Sequence, residues 1–325
     1  MIRFAVLLLA LLLDRLVGDP DWLWRRLPHP VVWFGAAIGF ADRHLNLESD
    51  TPAQRRLKGR VAIALLLALA IAAGAIIHIL LFGLGPFGWL VEALIVAVLL
   101  AQKSLADHVR AVAVALRVGG LAEGRKAVSM IVGRDPDTLD RPAVARAALE
   151  SLAENFSDGI VAPALWYAVA GLPGLFAYKM LNTADSMIGH LNDRHRDFGR
   201  AAARLDDFAN LPASRLSALL IAFGAAVSVS LAAARRSLTT AMRDAGLHRS
   251  PNAGWPEAAM AGALGVALAG PRVYGGVRVA EPSLNGSGRR DAGIIDMEMG
   301  LTIYSKACIG LALLALSGLI ISIII

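Results

Sequence analysis

From Val61 to Phe82 the chain runs for 22 residues with no charged side chain other than a titratable His78. At about 1.5 Å per residue, a helix of that length crosses a hydrocarbon core of roughly 30 Å. The segment therefore predicts a membrane span. Uncharged runs recur at 159–178, 216–234 and 307–325. Shorter apolar stretches occupy 4–18, interrupted by Asp14 and Arg15, and 89–101, which carries Glu92. An intramembrane carboxylate of that kind is expected to face a cavity or a partner. With 56% hydrophobic and 18% charged residues and a mean hydropathy of +0.58, the chain is too apolar for an ordinary soluble domain. The expectation is an all-α integral membrane protein in which residues 1–325 form a single polytopic domain. It would be a multi-pass helical bundle of about four to six membrane segments, with polar helical loops forming the active site.

The net charge of +6 does not point to nucleic acid, because the arginines sit beside apolar runs and no basic patch is interleaved with aromatics. They mark cytoplasmic loops instead. Cys308 is the one cysteine and lies inside the last apolar run, which excludes an intramolecular disulfide and a cysteine metal site. Arg3 followed by Phe4 to Leu13 imitates a signal peptide, but Asp14-Arg15 follows without a small-residue cleavage site, so the segment is expected to be retained. Gly83-Leu-Gly85-Pro86-Phe-Gly88 matches a dinucleotide fingerprint, yet no strand precedes it, and it reads as a hairpin loop.

The run from 159 to 178 differs from the others. Pro163, Gly171, Pro173 and Gly174 interrupt it, which predicts a broken or re-entrant helix lining a cavity. Arginine and lysine abound at 15–60, 102–146, 179–215 and 235–306, and the positive-inside rule would put all four in the cytoplasm. A re-entrant or deeply buried 159–178 reconciles these demands. It would let Glu154 and Lys179 share one cytoplasmic-side cavity.

Carboxylates, amides and one lysine crowd between Glu150 and Asn210. Glu150 and Glu154 are four apart and share a helix face, with Arg146 one turn earlier and Asn155 and Asp158 at the helix end. Asn182 and Asp185 converge in the same way, as do Asp206 or Asp207 with Asn210. Carboxylate and amide oxygens suit Mg²⁺, and Lys179 suits a phosphate. Spaced Glu and Arg are commonly just a solvated face. On the residues alone His190 and His195 read as surface groups, Met180, Met187 and Met260 as packing, and His29 as a turn residue. Lys179, Asn182 and Asp185 together, directly after an apolar segment, weigh toward function, because charge at a membrane boundary is costly. A second polar motif, His248 to Glu257, leads into a helix of small residues suited to close packing.

Several ordered motifs then converge on one family. They are Gly18-Asp19-Pro20, His29-Pro30-Val31, Val132-Gly133-Arg134-Asp135, and Glu150-Ser-Leu-Ala-Glu154-Asn155 with Asp158-Gly159. Further along come Tyr178-Lys179 with Asn182-Thr-Ala-Asp185-Ser186-Met187, Phe198-Gly199, and Ala203-Arg204-Leu-Asp206-Asp207 with Asn210. The last are Ser250-Pro-Asn252-Ala-Gly254 and Pro256-Glu257-Ala-Ala-Met260-Ala-Gly262. At these positions the chain closely resembles the CobD/CbiB family, the integral-membrane adenosylcobinamide-phosphate synthases of cobalamin biosynthesis. The resemblance implies an amide bond between a carboxyl of adenosylcobyric acid and the amine of aminopropanol or its phosphate, driven by ATP with Mg²⁺ through an acyl phosphate. ATP and Mg²⁺ come from the resemblance alone.

On that basis Asp185, Asp206 and Asp207 are assigned to metal, and Lys179, Arg134 and Arg204 to phosphates. Glu154 or His248 is assigned as base, with Glu257 among the catalytic groups. Asn155, Asn182 and Asn252 would bond the corrinoid amides. Asp19, His29, Glu150, Asp158, Ser186, Asn210 and Ser250 complete the substrate set. The implied partners are the corrinoid, the amino alcohol or its phosphate, the bilayer of the inner membrane and other late cobalamin-pathway enzymes; nucleic acid is not among them. Two alternatives stand beside this reading. A Mg²⁺-dependent prenyltransferase would use Asn192-Asp193 with Asp197 but lacks a second Asp-rich copy. A transporter or corrinoid-binding scaffold would account for the broken helix and Glu92, without a visible inverted repeat.

Overall fold

The computed structural model describes residues 1–132, 135–270, 272–274, 277–279 and 281–325. Among them the chain forms helices α1 (Ile2–Leu16), α2 (Asp21–Trp24), α3 (Pro30–Leu45), α4 (Pro52–Phe82), α5 (Gly85–Val98), α6 (Gln102–Val118) and α7 (Gly120–Val128). There follow α8 (Arg141–Phe156), a π-helical turn over Ser157–Val161, α9 (Ala162–Ile188), α10 (Arg200–Ser228), α11 (Leu231–Asp244) and α12 (Gly254–Leu264). Strands β1 (Leu268–Ala269), β2 (Arg272–Tyr274), β3 (Val277–Val279) and β4 (Ser283–Leu284) form two antiparallel pairs, β1 with β4 and β2 with β3, before α13 (Ile294–Ile324). Among the described residues, five helical stretches are long and apolar enough to cross a membrane: Pro52–Phe82, Gly85–Val118, Arg141–Ile188, Arg200–Ser228 and Ile294–Ile324. The protein is a multi-pass helical membrane protein, as its hydropathy predicts.

The described residues divide into two compact units. One comprises Met1–Ala101, Ala162–Asn210 and Ala315–Ile325, the other Gln102–Val161 and Leu211–Leu314. In the first, α4 packs on α9 and α1 on α5, with α3 against both α4 and α9. A capping box starts α4: the Thr51 hydroxyl accepts from the Gln54 amide at 3.3 Å, and Gln54 Oε1 accepts from the Thr51 amide at 2.9 Å. The helix thus begins a full two turns before its apolar run.

The interrupted run has a definite break. Gly171 adopts φ 67° and ψ −153°, a conformation open only to glycine, and Pro173 has no N–H to give the preceding turn. The carbonyls freed by this break need donors. Arg3 of α1 supplies them, its Nη1 donating to the Val169 carbonyl at 2.7 Å and the Ala168 carbonyl at 3.3 Å. Gly74 of α4 lies backbone against backbone at the same point, where an added Cβ would stand 2.8 Å from Leu172 C and Pro173 Cα. Glu92 faces partners, not an open cavity. Its carboxylate accepts from the Tyr167 hydroxyl at 2.7 Å and lies 2.9 Å from His78 Nδ1, which satisfies a polar group that lipid would leave uncompensated.

In the second unit α12 packs on α11 and α8. Small residues allow this, since an added Cβ at Gly262 would stand 2.6 Å from the Arg236 carbonyl oxygen. Gly265 closes α12 in the left-handed conformation, φ 68°. At the end of α11, Asp244 accepts from Arg243 Nε at 2.6 Å and from the Asn285 amide at 2.7 Å. Asn285, at φ 52°, donates in turn to the Val266 carbonyl at 3.1 Å. Asp244 therefore ties the short β segment to the helices.

The Arg243 guanidinium holds the Asp244 carboxyl below its ordinary value, with help from the Asn285 amide and against the opposing effect of burial. A depressed folded-state value contributes stability that is present above the ordinary carboxylate value of about 3.9 and is lost as pH falls through the folded value. Asp244→Asn is expected to lower the melting temperature near neutral pH and to flatten its decline in acid. Melting curves across the acid range check this; parallel curves for variant and parent would remove Asp244 from the account.

Candidate functional site

The predicted site residues fall into two sets, one in each unit. In the first unit, the part of α9 beyond the Gly171 break carries Tyr178, Lys179, Asn182, Asp185 and Ser186, and the first turns of α10 carry Arg204, Asp206, Asp207 and Asn210. Trp166 Nε1 donates to the Ala209 carbonyl at 3.2 Å and fastens the start of α10 to α9. Asp206 is only 7% exposed. Its Oδ2 accepts from Asn210 Nδ2 at 2.9 Å, and Asn210 Oδ1 accepts from the Tyr178 hydroxyl at 2.9 Å. Asn182 lies beside the same carboxylate, and Asp185 and Asp207 are close enough to act on it electrostatically. Gly189 keeps the space next to Asp185 open, since any Cβ there would run into Asp185 Oδ1. The Ser186 hydroxyl is occupied locally, donating to the Asn182 carbonyl at 3.0 Å.

Whether these groups suit a divalent cation is decided by their donors. Asp206 Oδ1 is buried and has no hydrogen-bond partner among the described residues, on a carboxylate that Asp185 and Asp207 act on electrostatically, and a cation or a proton there would offset the gathered negative charge. No three His, Cys, Asp or Glu side chains among the described residues stand together as a ready-made metal cage. Mg²⁺ seldom uses one, taking one or two carboxylates with water and substrate phosphates. The donor set fits that mode of binding.

Asp19 and His29 form a separate pair in this unit, His29 Nε2 standing 3.7 Å from Asp19 Oδ1. His29 caps α3: its Nδ1 accepts from the Val31 amide at 3.2 Å, leaving Nε2 to donate to the Val98 carbonyl at 3.2 Å. Trp24 packs edge-on at 4.5 Å. His29 is thus more firmly built in than a turn residue. Asn192 and Asp197, which a prenyltransferase would need, are engaged elsewhere. Asn192 Oδ1 accepts from the His195 amide at 2.8 Å, and Asp197 pairs with Arg56 at 2.7 Å.

In the second unit α8 presents Glu150, Glu154 and Asn155, and Asp158 lies in the π-turn. Glu150 is buried, and its Oε1 accepts from the Ala269 amide at 2.8 Å, holding β1 in place. Asn155 Nδ2 donates to the Ser151 carbonyl at 2.9 Å. Glu154 lies exposed. His248 and Glu257 are nearly buried, 6% and 2% exposed, with Nε2 and Oε1 3.7 Å apart. The Ser250 amide donates to His248 Nδ1 at 3.0 Å, and Ser250 Oγ accepts from the Asn252 amide at 3.2 Å. Asn252 Oδ1 accepts from Ser214 Oγ at 3.1 Å and Arg215 Nη1 at 3.0 Å, and the Arg215 guanidinium lies over Trp255 at 4.9 Å. Arg134 falls outside the described residues.

Ser214, Arg215 and Tyr178 join these networks without having been singled out for function from the sequence. The available signal for Arg215 was its position directly before an uncharged run of 19 residues; Tyr178 stood next to Lys179 with nothing to mark its hydroxyl.

Fold and site together define a polytopic helical membrane protein with an oxygen-rich carboxylate and amide cluster at the head of a membrane helix. Within that class the chain belongs to the CobD/CbiB family: the family model described as CobD/Cbib protein matches residues 7–304. A Sinorhizobium relative named cobalamin biosynthesis protein CobD is 64% identical over 303 residues, covering 93% of this chain and 94% of its own. Relatives of the same name from Rhizobium meliloti (strain 1021) and Rhodobacter capsulatus are 63% and 46% identical, covering 93% and 95% of this chain and 93% and 95% of their own. No solved structure matches the chain.

Proposed function

We propose that this protein acts in cobalamin biosynthesis as an ATP-dependent amide-forming ligase, joining adenosylcobyric acid to aminopropanol or its phosphate. The observation that carries the reading is the buried Asp206, one oxygen held by Asn210 and the other without a hydrogen-bond partner among the described residues, with Asp185 and Asp207 near enough to act on it electrostatically. The names of the relatives support the pathway.

A carboxylate resists attack by an amine, so the substrate carboxyl would first take the terminal phosphoryl group of ATP, releasing ADP. The amine then attacks the carbonyl carbon, phosphate leaves with the carbon–oxygen bond, and the nitrogen gives up a proton. Mg²⁺, held through Asp185, Asp206 and Asp207, would neutralise phosphate charge. Lys179 and Arg204 bind and orient the phosphates, with Arg134 a further candidate. Glu154 or His248, the latter beside Glu257, takes the proton from the ammonium. Asn155, Asn182 and Asn252 hydrogen-bond the corrinoid amides, and Asp19, His29, Glu150, Asp158, Ser186, Asn210 and Ser250 shape the substrate's surroundings. The active site would face the cytoplasm from the inner membrane, beside other late enzymes of the pathway.

The test is direct. Purified protein with adenosylcobyric acid, aminopropanol phosphate, ATP and Mg²⁺ is expected to yield the amide by mass spectrometry, with one ADP per product. Tight corrinoid binding without product would favour a scaffold and overturn the ligase.

A further inference from the structure

Two helices of the first unit each carry arginines four residues apart, Arg56 and Arg60 on α4 and Arg200 and Arg204 on α10. Each pair therefore shares a helix face. Gly59, between the first two, lets α4 come against the chain just before α10: the Phe198 carbonyl occupies the place a Cβ at 59 would take. Gly199 is set on the Ile188 carbonyl in the same way. These two close approaches bring all four arginines around one crevice of about 50 Å³, completed by Asp197 and Ala201.

The charge in that crevice is unbalanced. Asp197 pairs with Arg56 at 2.7 Å, whereas Arg60, Arg200 and Arg204 are exposed and form no ion pair among the described residues. A row of arginines next to an apolar run ordinarily reports only which side of the membrane it faces. That role needs no convergence, and lysine fills it equally well. Four planar forks drawn together against their mutual repulsion match the oxygens of a phosphate, which guanidinium groups grip two at a time. The crevice is small, on the scale of a phosphate group and not of a corrin ring.

We infer that Arg56, Arg60, Arg200 and Arg204 form a binding site for the phosphate group of a phosphate ester. Arg204 and Asp207, three apart on α10, share a face, which sets this site one helical turn from the carboxylate cluster. The inference deepens the ligase reading and rests on it for a phosphate-bearing soluble substrate; the apolar run that begins at Val61 makes an anionic lipid headgroup the other source of the same chemistry.

Full-length protein in nanodiscs of phosphatidylcholine, titrated calorimetrically with inorganic pyrophosphate, tests the soluble source. The parent is expected to bind, and the exposed double variant Arg60→Gln/Arg200→Gln to bind roughly ten-fold more weakly, with an unchanged melting temperature; Lys306→Gln serves as a control that binds like the parent. Retention of phosphatidylglycerol, read by native mass spectrometry from nanodiscs that contain it, tests the lipid source. Loss of retention in the double variant with pyrophosphate binding unaltered assigns the site to a headgroup. Equal pyrophosphate binding and equal lipid retention in variant and parent would overturn the site. Because neither readout needs turnover, weakened binding in a protein that forms no amide leaves the site standing and removes the ligase reading, whereas amide formation with both binding readouts unmoved removes only the site.

Discussion

Asp206→Asn is expected to lower turnover by about 100-fold or more while the melting temperature stays near that of the parent. The substitution keeps the shape of the side chain and an oxygen to accept from Asn210 Nδ2, the bond now 2.9 Å long. It removes the negative charge and turns the other oxygen into an amide donor. If Asp206 served packing alone, a neutral isostere would do as well and turnover would persist. If its unpartnered Oδ1 helps hold a cation against substrate phosphates, losing that charge weakens the hold where charge develops during transfer. Asp185→Asn and Asp207→Ala are expected to lose turnover too, and to raise the Mg²⁺ concentration needed for half-maximal rate. Amide formation by mass spectrometry, set beside melting curves and membrane insertion, decides the point. Near-normal turnover in correctly inserted Asp185 and Asp207 variants would end the metal assignment.

The second large effect is structural. Gly74→Leu is expected to destabilise the protein by about 1–3 kcal/mol or more and to reduce turnover along with it. At Gly74 the backbone of α4 touches Leu172 and Pro173, and an added Cβ would lie 2.8 Å from backbone atoms of both. Backbone cannot swing aside as a side chain can, so α4 and α9 must separate. The separation falls at the Gly171 break. Beyond that break α9 carries Lys179, Asn182 and Asp185, whose aim depends on how the helix resumes. Gly74→Ala is expected to be milder but of the same sign. A Leu variant with parental melting temperature and activity would show that the helices can yield there at no cost.

Much of this arrangement was legible along the chain, because the signals were local. A run of 22 uncharged residues commits a helix to lipid through the transfer cost of its own side chains. Gly171 and Pro173 announce a break through their own backbone limits, and the break is where they stand. Asn182 with Asp185, and Asp206 with Asn210, converge because helix geometry places such spacings on one face. Glu150 was harder to read. In sequence it looks like a partner of Glu154, but the fold turns it inward to hold the Ala269 amide and leaves Glu154 exposed. Equal spacing on a helix does not say what packs against each position. His29, between two prolines, read as a turn residue and is a helix cap whose far nitrogen reaches Val98, a contact 69 residues away.

By itself the sequence determined that this chain is a multi-pass membrane helix bundle with a crowd of carboxylates and amides and a broken segment, since hydropathy, helical spacing and backbone conformational limits are properties of neighbouring residues. Only the tertiary structure decided the partners: Arg3 on the carbonyls that the break sets free, Tyr167 and His78 on Glu92, and Tyr178 behind Asn210. It also decided that four arginines from two helices meet in one crevice. The reason is physical. Contacts between distant residues depend on which helix faces approach and how closely, and that distance is set where glycines such as Gly59 and Gly74 meet the backbone of another segment.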